Sequence, residues 1–455
     1  MSLLNRPRAG TGGSLAARRG VTLRQGCLMA GVLCLGPAAL AQEALDSALS
    51  LDAGEAQAQA LKRRATNAPA VWFPDAWHLG PVQLTVGVYA GVQVDDNINQ
   101  AQTNPRSDAI VSSGLNLGFA WPATERSEVD LSSAVGYVKY LRYSANDQTQ
   151  IAPGSVLTWK IDFEDGSLTC FDQFSDSQSV SSEASVNNLT VLPRTDNTAG
   201  ARAEWDPGRW LIQIGASYDY FFSTAGVDQY LNRGTEEFFF RGGHRLAEDT
   251  QLGLEVSTSL TAYELPLQSN NTSYSLGPYL NWQFTPFINA SVRGGYTIYT
   301  FEASRTQPAQ NLDSYYANLT VTDQLTEFVS QTFSAERDIS LGLTQGNDYN
   351  EQWTAHYSLN WAATTHLGLN LNLTYEDGTQ PLSELIPVVL GGIPLEFPET
   401  ITENYRRVGV SPGVTYQFTQ KLGGSLTYTH WERTSNLSGN GYQDDNVAVQ
   451  MTYSF

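Results

Sequence analysis

The chain has 455 residues, of which 16% are charged, with 46 acidic against 26 basic side chains and a formal charge of -20. So acidic a surface excludes nucleic acid as a partner. Three cysteines, two of them within the first 41 residues, exclude a disulfide framework.

Residues 1–41 contain Arg6, Arg8, Arg18, Arg19 and Arg24 and no acid, then the apolar run "CLMAGVLCL" and an Ala39-x-Ala41 site before Gln42. That is the pattern of a secretory signal peptide, and its apolar run is too short to span a bilayer as a helix. "ARRGVTL" lacks the large apolar residue of a twin-arginine signal, and Cys34 follows Leu33 where lipidation wants a small residue. Cleavage removes five positive charges and no negative one, and it strands Cys170 as a lone thiol. Residues 42–80 read as a periplasmic N-terminal extension, with one short helix in "LDAGEAQAQALKRRA" and an extended lead-in in "VWFPDAWHLGP".

From Pro81 to the end the pattern has period 2. Val82, Leu84, Val86, Val88, Ala90, Val92 and Val94 alternate with Gln83, Thr85, Gly87, Tyr89, Gly91, Gln93 and Asp95. Leu367, Leu369, Leu371, Leu373 and Tyr375 alternate in the same way with Gly368, Asn370, Asn372, Thr374 and Glu376. Eighteen such runs start near residues 82, 109, 129, 156, 168, 197, 210, 237, 251, 272, 287, 314, 327, 351, 366, 405, 422 and 444. The runs near 168 and 327 are poorly patterned, so sixteen is the alternative count.

Connections alternate between tight ones, such as "WDPGRW", "LAEDTQ" and "FTQKL", and long ones at 175–196, 222–236, 300–312, 337–350 and 377–404. On the apolar face, Trp121, Phe163, Trp205, Trp210, Phe284, Trp361 and Phe418 stand beside tight turns. Tyr218, Tyr274, Tyr296, Trp353 and Tyr375 stand near long loops. Two aromatic girdles, short turns at one end and long loops at the other predict an all-β fold: a transmembrane antiparallel up-and-down β-barrel over 81–455, in the bacterial outer membrane. A soluble β-sandwich would carry more Lys and Glu on its solvated face than these Gly, Ser, Thr, Asn and Gln rows do.

The last residues, "NVAVQMTYSF", keep the alternation to the final atom. If the last strand pairs with the first, a frayed end would leave backbone groups unpaired in hydrocarbon. Terminal Phe455, with Tyr453 two places before it, resembles the signal read by the outer-membrane assembly machinery.

The stretch "HLGPVQLTVGVYAGVQVDDNINQA" resembles the opening of the type 2 outer-membrane β-barrel porin family. "TFSAERDIS" (332–340) is similar to a mid-barrel segment of that family, with Glu336 where a glycine is expected. The resemblance spans roughly residues 75 to 455 in strand layout. It implies an association with exopolysaccharide synthesis and export, and it supplies no catalytic residue.

An eighteen-strand cylinder is wide enough for an aqueous lumen. By phase, Lys160, Arg202, Arg241, Arg245, Arg293 and Arg407 point inward, as do Asp130, Asp162, Glu204, Asp219, Glu237 and Glu255. They form either ladder ion pairs that rigidify the wall or a basic strip facing an acidic one, whose field would select solutes. Inward Tyr89, Tyr279, Tyr299 and Tyr316 either fill lumen volume or make a slide for sugar rings. The apolar segment 381–400, with Leu385, Ile386, Val388, Leu390 and Phe397, is expected to fold inward as a constriction, turned at Gly391-Gly392; packing on a neighbouring subunit is the alternative that would bury the same surface. "SDSQSVSSEASVNN" (175–188) is expected to be an ordinary solvated loop.

No two histidines share metal-ligand spacing, and the pair His356 and Ser358 lacks an orienting third group. Asp95 and Asp96 read as loop carboxylates rather than a dyad or a calcium site. No catalytic residue, metal or cofactor is expected. The expected partners are outer-membrane lipid and lipopolysaccharide, the assembly machinery and a hydrophilic solute or polysaccharide, with a second copy of the chain, as a homo-oligomer, left open. The function expected is a passive channel; the alternative is a plugged structural or adhesive barrel whose loops bind a partner.

Overall fold

The computed structural model describes residues 77–455 apart from 181–182 and 391–392, and only the backbone over 383–399. The signal peptide expected at 1–41, and the expected extension as far as residue 76, lie outside the described residues.

A short strand, β1 (Trp77–Leu79), precedes eighteen longer ones. These are β2 (Val82–Asp95), β3 (Asp108–Thr124), β4 (Ser127–Tyr140), β5 (Gln148–Phe163), β6 (Gly166–Ser177) and β7 (Arg194–Trp205). Next come β8 (Trp210–Ser223), β9 (Arg233–Ala247), β10 (Thr250–Tyr263), β11 (Asn271–Gln283), β12 (Ile288–Phe301) and β13 (Gln310–Thr326). The last are β14 (Val329–Leu341), β15 (Tyr349–Ala362), β16 (Leu367–Leu390), β17 (Ile393–Gln417), β18 (Leu422–Ser435) and β19 (Tyr442–Ser454). All eighteen predicted runs are strands, including the two weakly patterned ones, β6 and β14.

Each strand from β2 to β19 pairs antiparallel with its sequence neighbours, and β19 closes on β2 from Asn446↔Asp95 to Ser454↔Gly87. The Phe455 N–H donates to the Val86 carbonyl at 3.0 Å, so pairing runs to the last residue. Below that point β1 takes over the same edge of β2, from Trp77↔Leu84 to Leu79↔Val82, after a reversal at Gly80, whose φ is +66°. Closure leaves no strand edge in hydrocarbon, the condition for a sheet to cross a membrane.

The alternating apolar rows face out. Leu252, Leu254, Val256 and Leu260 on β10 are exposed, as are Val92 and Val94 on β2 and Val447 and Val449 on β19. Every girdle aromatic named from sequence is exposed on this surface, from Trp121 at 40% to Tyr274 at 60%. Large apolar side chains cannot stand in water in such numbers; this is a lipid-facing belt.

Connections at one end are turns of two or four residues, such as Glu125-Arg126 and 206–209. Two features at the other end depart from plain loops. First, β16 and β17 pair without a break from Leu367↔Tyr416 to Leu390↔Ile393, whereas β15 leaves β16 at Thr379 and β18 leaves β17 at Tyr405. The segment 381–400 is therefore a regular two-stranded ribbon in its backbone, not an irregular loop. Leu385, Ile386, Val388, Leu390 and Phe397 stand on it, but their side chains, and residues 391–392 at its tip, lie outside the described residues.

Second, β13 stops pairing with β14 at Ala317↔Arg337 while β14 and β15 continue together to Leu341↔Tyr349. Beyond Arg337, β14 has parted from β13, while β15 stays paired with β16 as far as Glu351↔Thr379.

Candidate functional site: a lumen crossed by two inward segments

The stretch 175–188 reads from sequence as a solvated loop, but the described residues of the connection that it opens, 178–193 between β6 and β7, lie largely inside: Val180, Glu183, Ala184, Val186 and Leu192 expose 4% or less. The reason is that its backbone groups find partners on the far wall rather than in water. Gln380 Nε2, on β16, donates to the Ser185 carbonyl at 2.9 Å, and Arg433 Nε, on β18, donates to the Ala184 carbonyl at 2.8 Å. β16 lies half the ring away from β7, so the segment spans the lumen. Its near end is held by Arg194, whose guanidinium meets Glu183 at 3.2 Å and donates to the Ser179 carbonyl at 3.1 Å.

The tip of the β14–β15 hairpin, residues 338–349, also turns inward. Gln268 Nε2 donates to the carbonyls of Thr344 and Asn347, and its Oε1 accepts the Gly346 N–H at 2.9 Å. Asp348 accepts from the Ser269 N–H and hydroxyl and from Gln310 Nε2. Burial pushes the Asp348 carboxyl above its ordinary value, against those hydrogen bonds. Ile339 and Leu341 pack on Tyr299 and Phe301.

The two segments meet. Leu343 from the hairpin joins Val180, Val186 and Leu192 from the crossing segment, with Phe221 and Leu231, in one apolar cluster exposed by 7% or less. Gln380 ties both to the wall: besides Ser185 it donates to Glu403 at 2.7 Å, and its Oε1 accepts from Asn347 Nδ2 at 2.7 Å.

The charges singled out from sequence stand on the face opposite the apolar rows, and four of the basic ones are compensated by a neighbouring carboxylate. Arg241 meets Glu255 at 3.1 Å, and Glu255 also accepts the Tyr316 hydroxyl at 2.9 Å. Arg407 meets Glu376 at 2.5 Å with its guanidinium 4.3 Å from the Trp431 ring centre. Lys160 meets Asp162 at 3.1 Å, and Arg245 meets Asp206 at 2.5 Å near the short turns. Glu204 accepts from Gln213 Nε2 and Asp219 from the Thr198 hydroxyl. Arg202 and Glu237 are buried, Asp130 is half-buried, and Arg293 pairs in register with Tyr279. Positive and negative groups thus interleave around the wall, as ladder pairs do.

Tyr279, Tyr299 and Tyr316 are buried, at 3%, 1% and 4% exposure. They pack as volume: Tyr279 sits over the backbone of Gly243 and Gly253, where any Cβ would collide with its ring, and under Arg241. Tyr89 is half-buried and covers Gly114 and Gly136 in the same manner. His356 shares a hydrogen bond with Thr374 at 3.1 Å. Toward the short turns the lumen keeps an open recess of about 380 Å³, lined among others by Arg245, Gln251, Asn281, Ser291 and Thr322.

Sequence reasoning missed the crossing segment, the inward hairpin and Gln380. The available signal was the set of isolated apolar residues Val180, Val186 and Leu192 inside a polar stretch.

A closed antiparallel barrel, apolar outside and polar within, with short connections at one end and long ones at the other, defines an outer-membrane β-barrel. Segments folded into its lumen make it porin-like. No family model matches the chain, and no curated protein matches it. Among solved structures it is similar to Pseudomonas aeruginosa OccK1 (OpdK), at 12% identity and a TM-score of 0.45, over 82% of this chain and 99% of that one. It is also similar to Pseudomonas aeruginosa OccK2 (OpdF) in complex with glucuronate, at 11% identity and 0.44, over 82% and 98%. A third is Acinetobacter baumannii OccAB3, at 12% identity and 0.42, over 82% and 99%. The barrel assignment rests on this chain's own strand register.

Proposed function

We propose that the chain is an outer-membrane channel for small hydrophilic solutes, constricted where residues 178–193 cross its lumen and residues 338–349 fold into it. The observation that carries this reading is the tether of the first segment to the opposite wall through Gln380 and Arg433. A loop that only met solvent would need no such buried, charge-assisted hydrogen bonds; a constriction held at a fixed radius does. Lys160, Asp162 and Arg293 are among the wall residues past which the solute would move, with the Arg241–Glu255 and Arg407–Glu376 pairs buried in the wall beside them. The local compensation in these three ion pairs favours uncharged or zwitterionic cargo over a strongly charge-selected ion. Export of a polysaccharide rests on the family resemblance alone, and two inward segments stand in the way of a polymer.

The apolar cluster around Leu343 favours a second reading, in which the barrel is plugged and its outer loops bind a partner. Planar-bilayer recordings of the folded full chain and of a variant lacking residues 183–190 separate the two. Steady openings of the wild type, enlarged in the deletion, support the channel. A silent wild type with a conducting deletion supports the plug, and silence of both overturns any aqueous path.

A further inference from the structure

The seam where the barrel closes carries three carboxylates that neither reading uses. Asp95 ends β2, Asp96 follows it, and Asp444 lies on β19; one carboxylate oxygen from each lies within 4.8 Å of the other two. Asp95 and Asp444 are buried, at 7% and 3% exposure, while Asp96 faces solvent. Asp95 accepts from the Asn97 N–H at 3.0 Å and from Gln93 Nε2 at 3.2 Å; Asp96 Oδ1 accepts the Asp445 N–H at 2.9 Å. None of these donors is charged. Asp444, whose carboxyl group neighbours that of Asp95, keeps its Oδ1 buried with no hydrogen-bond partner.

We propose that Asp95, Asp96 and Asp444 bind a calcium ion that clasps β2 to β19 at the outer end of the seam. Burying adjacent carboxylates without a countercharge is strongly unfavourable, and a hard divalent cation with oxygen ligands offsets both the repulsion and the unmet acceptor on Asp444. Exposed Asp96 leaves one side of the ion open to water, which suits the larger and more variable coordination shell of Ca²⁺ better than the strict octahedron of Mg²⁺. The clasp joins the first long strand to the last, the one pairing in the ring with no connecting turn. This inference does not depend on whether the lumen conducts.

The test uses the full chain folded in detergent, with CaCl2 from about 0.1 to 10 mM, the range of weak extracellular sites. Equilibrium dialysis with radioactive calcium should find one saturable ion per barrel, weakened at least about tenfold by Asp444→Asn, and a melting temperature that rises with calcium in the wild type only. Tb³⁺ should compete with calcium and luminesce on excitation of tryptophan, since Trp431 pairs in register with Asp444. If Asp444→Asn does not fold, Asp96→Asn, at the exposed position, gives the same comparison. Equal calcium uptake by wild type and variant overturns the site. So does a wild type that binds none and is instead stabilised to the same degree by acidification, which would show the carboxylates sharing protons.

Discussion

Arg433 and Glu403 meet at 3.1 Å between Nη1 and Oε1, and neither side chain exposes any surface. The same guanidinium donates through Nε to the carbonyl of Ala184, 249 positions earlier in the chain. One ion pair therefore joins two wall strands to the segment that crosses the lumen. Glu403 is itself held by the Ser435 hydroxyl and by Gln380.

Arg433→Met should strand Glu403 as an uncompensated buried charge, which costs about 3–5 kcal/mol. The double variant Arg433→Met with Glu403→Gln should recover most of that loss, while the crossing segment stays untethered. Urea unfolding from lipid vesicles reads the stability. Single-channel recordings should show both variants noisier or more conductive than the wild type.

Gln380→Leu keeps the volume and removes the hub. It leaves the Ser185 carbonyl, Asn347 and Glu403 each short of a partner, at about 1–3 kcal/mol for each group left buried and unsatisfied. Faster entry of small sugars into proteoliposomes is the expected result. Unchanged swelling rates would show that the two inward segments do not control passage.

Asp348 gives the hairpin a pH dependence. Its carboxyl is raised above the ordinary 3.8 by burial, so the folded hairpin prefers the neutral acid. The attachment to Ser269 and Gln310 should be firmest below about pH 4 and weaken as pH climbs from there through the raised value. Open probability should therefore increase with pH over that window. Asp348→Asn, which cannot ionise, should flatten the response.

The direction of each face predicts opposite outcomes for neighbouring residues on β10. Val256→Arg places a cation against lipid and should cost about 2–4 kcal/mol near the bilayer midplane. Ser257→Arg points to the lumen and should leave stability nearly unchanged while altering conductance. Equilibrium refolding into vesicles and bilayer recordings together check the pair.

Removing Phe455 deletes the N–H that donates to Val86 and the ring that packs edge-on against Tyr453 at 5.3 Å. Slower assembly is expected, visible as a larger unfolded fraction by heat-modifiable gel migration in cells. A normal folded fraction would remove the terminal signal from the account.

Tyr299 marks how far side-chain direction can be read and where it stops. Its position in β12 fixes that it faces inward, because a strand offers only two directions and the outer one belongs to lipid. That it lies beneath Ile339 and Leu341, 1% exposed, could not be read from β12 at all. Sites on the wall were legible as faces, whereas their partners depended on how a distant hairpin folds back.

By itself the sequence determined the barrel: the period of two, the aromatic belts and the alternation of short and long connections leave one membrane-stable arrangement, since only a closed sheet satisfies its backbone in lipid. It did not determine the interior. In a soluble protein a stretch such as "SDSQSVSSEASVNN" is solvated because no polar interior exists to receive it. Inside a cylinder lined with Gln, Arg and Glu, the same polar backbone finds Gln380, Arg194 and Arg433, and burial becomes favourable. Those partners are brought together only by closure of the ring, so tertiary structure alone decided which connections stay outside and which cross the lumen.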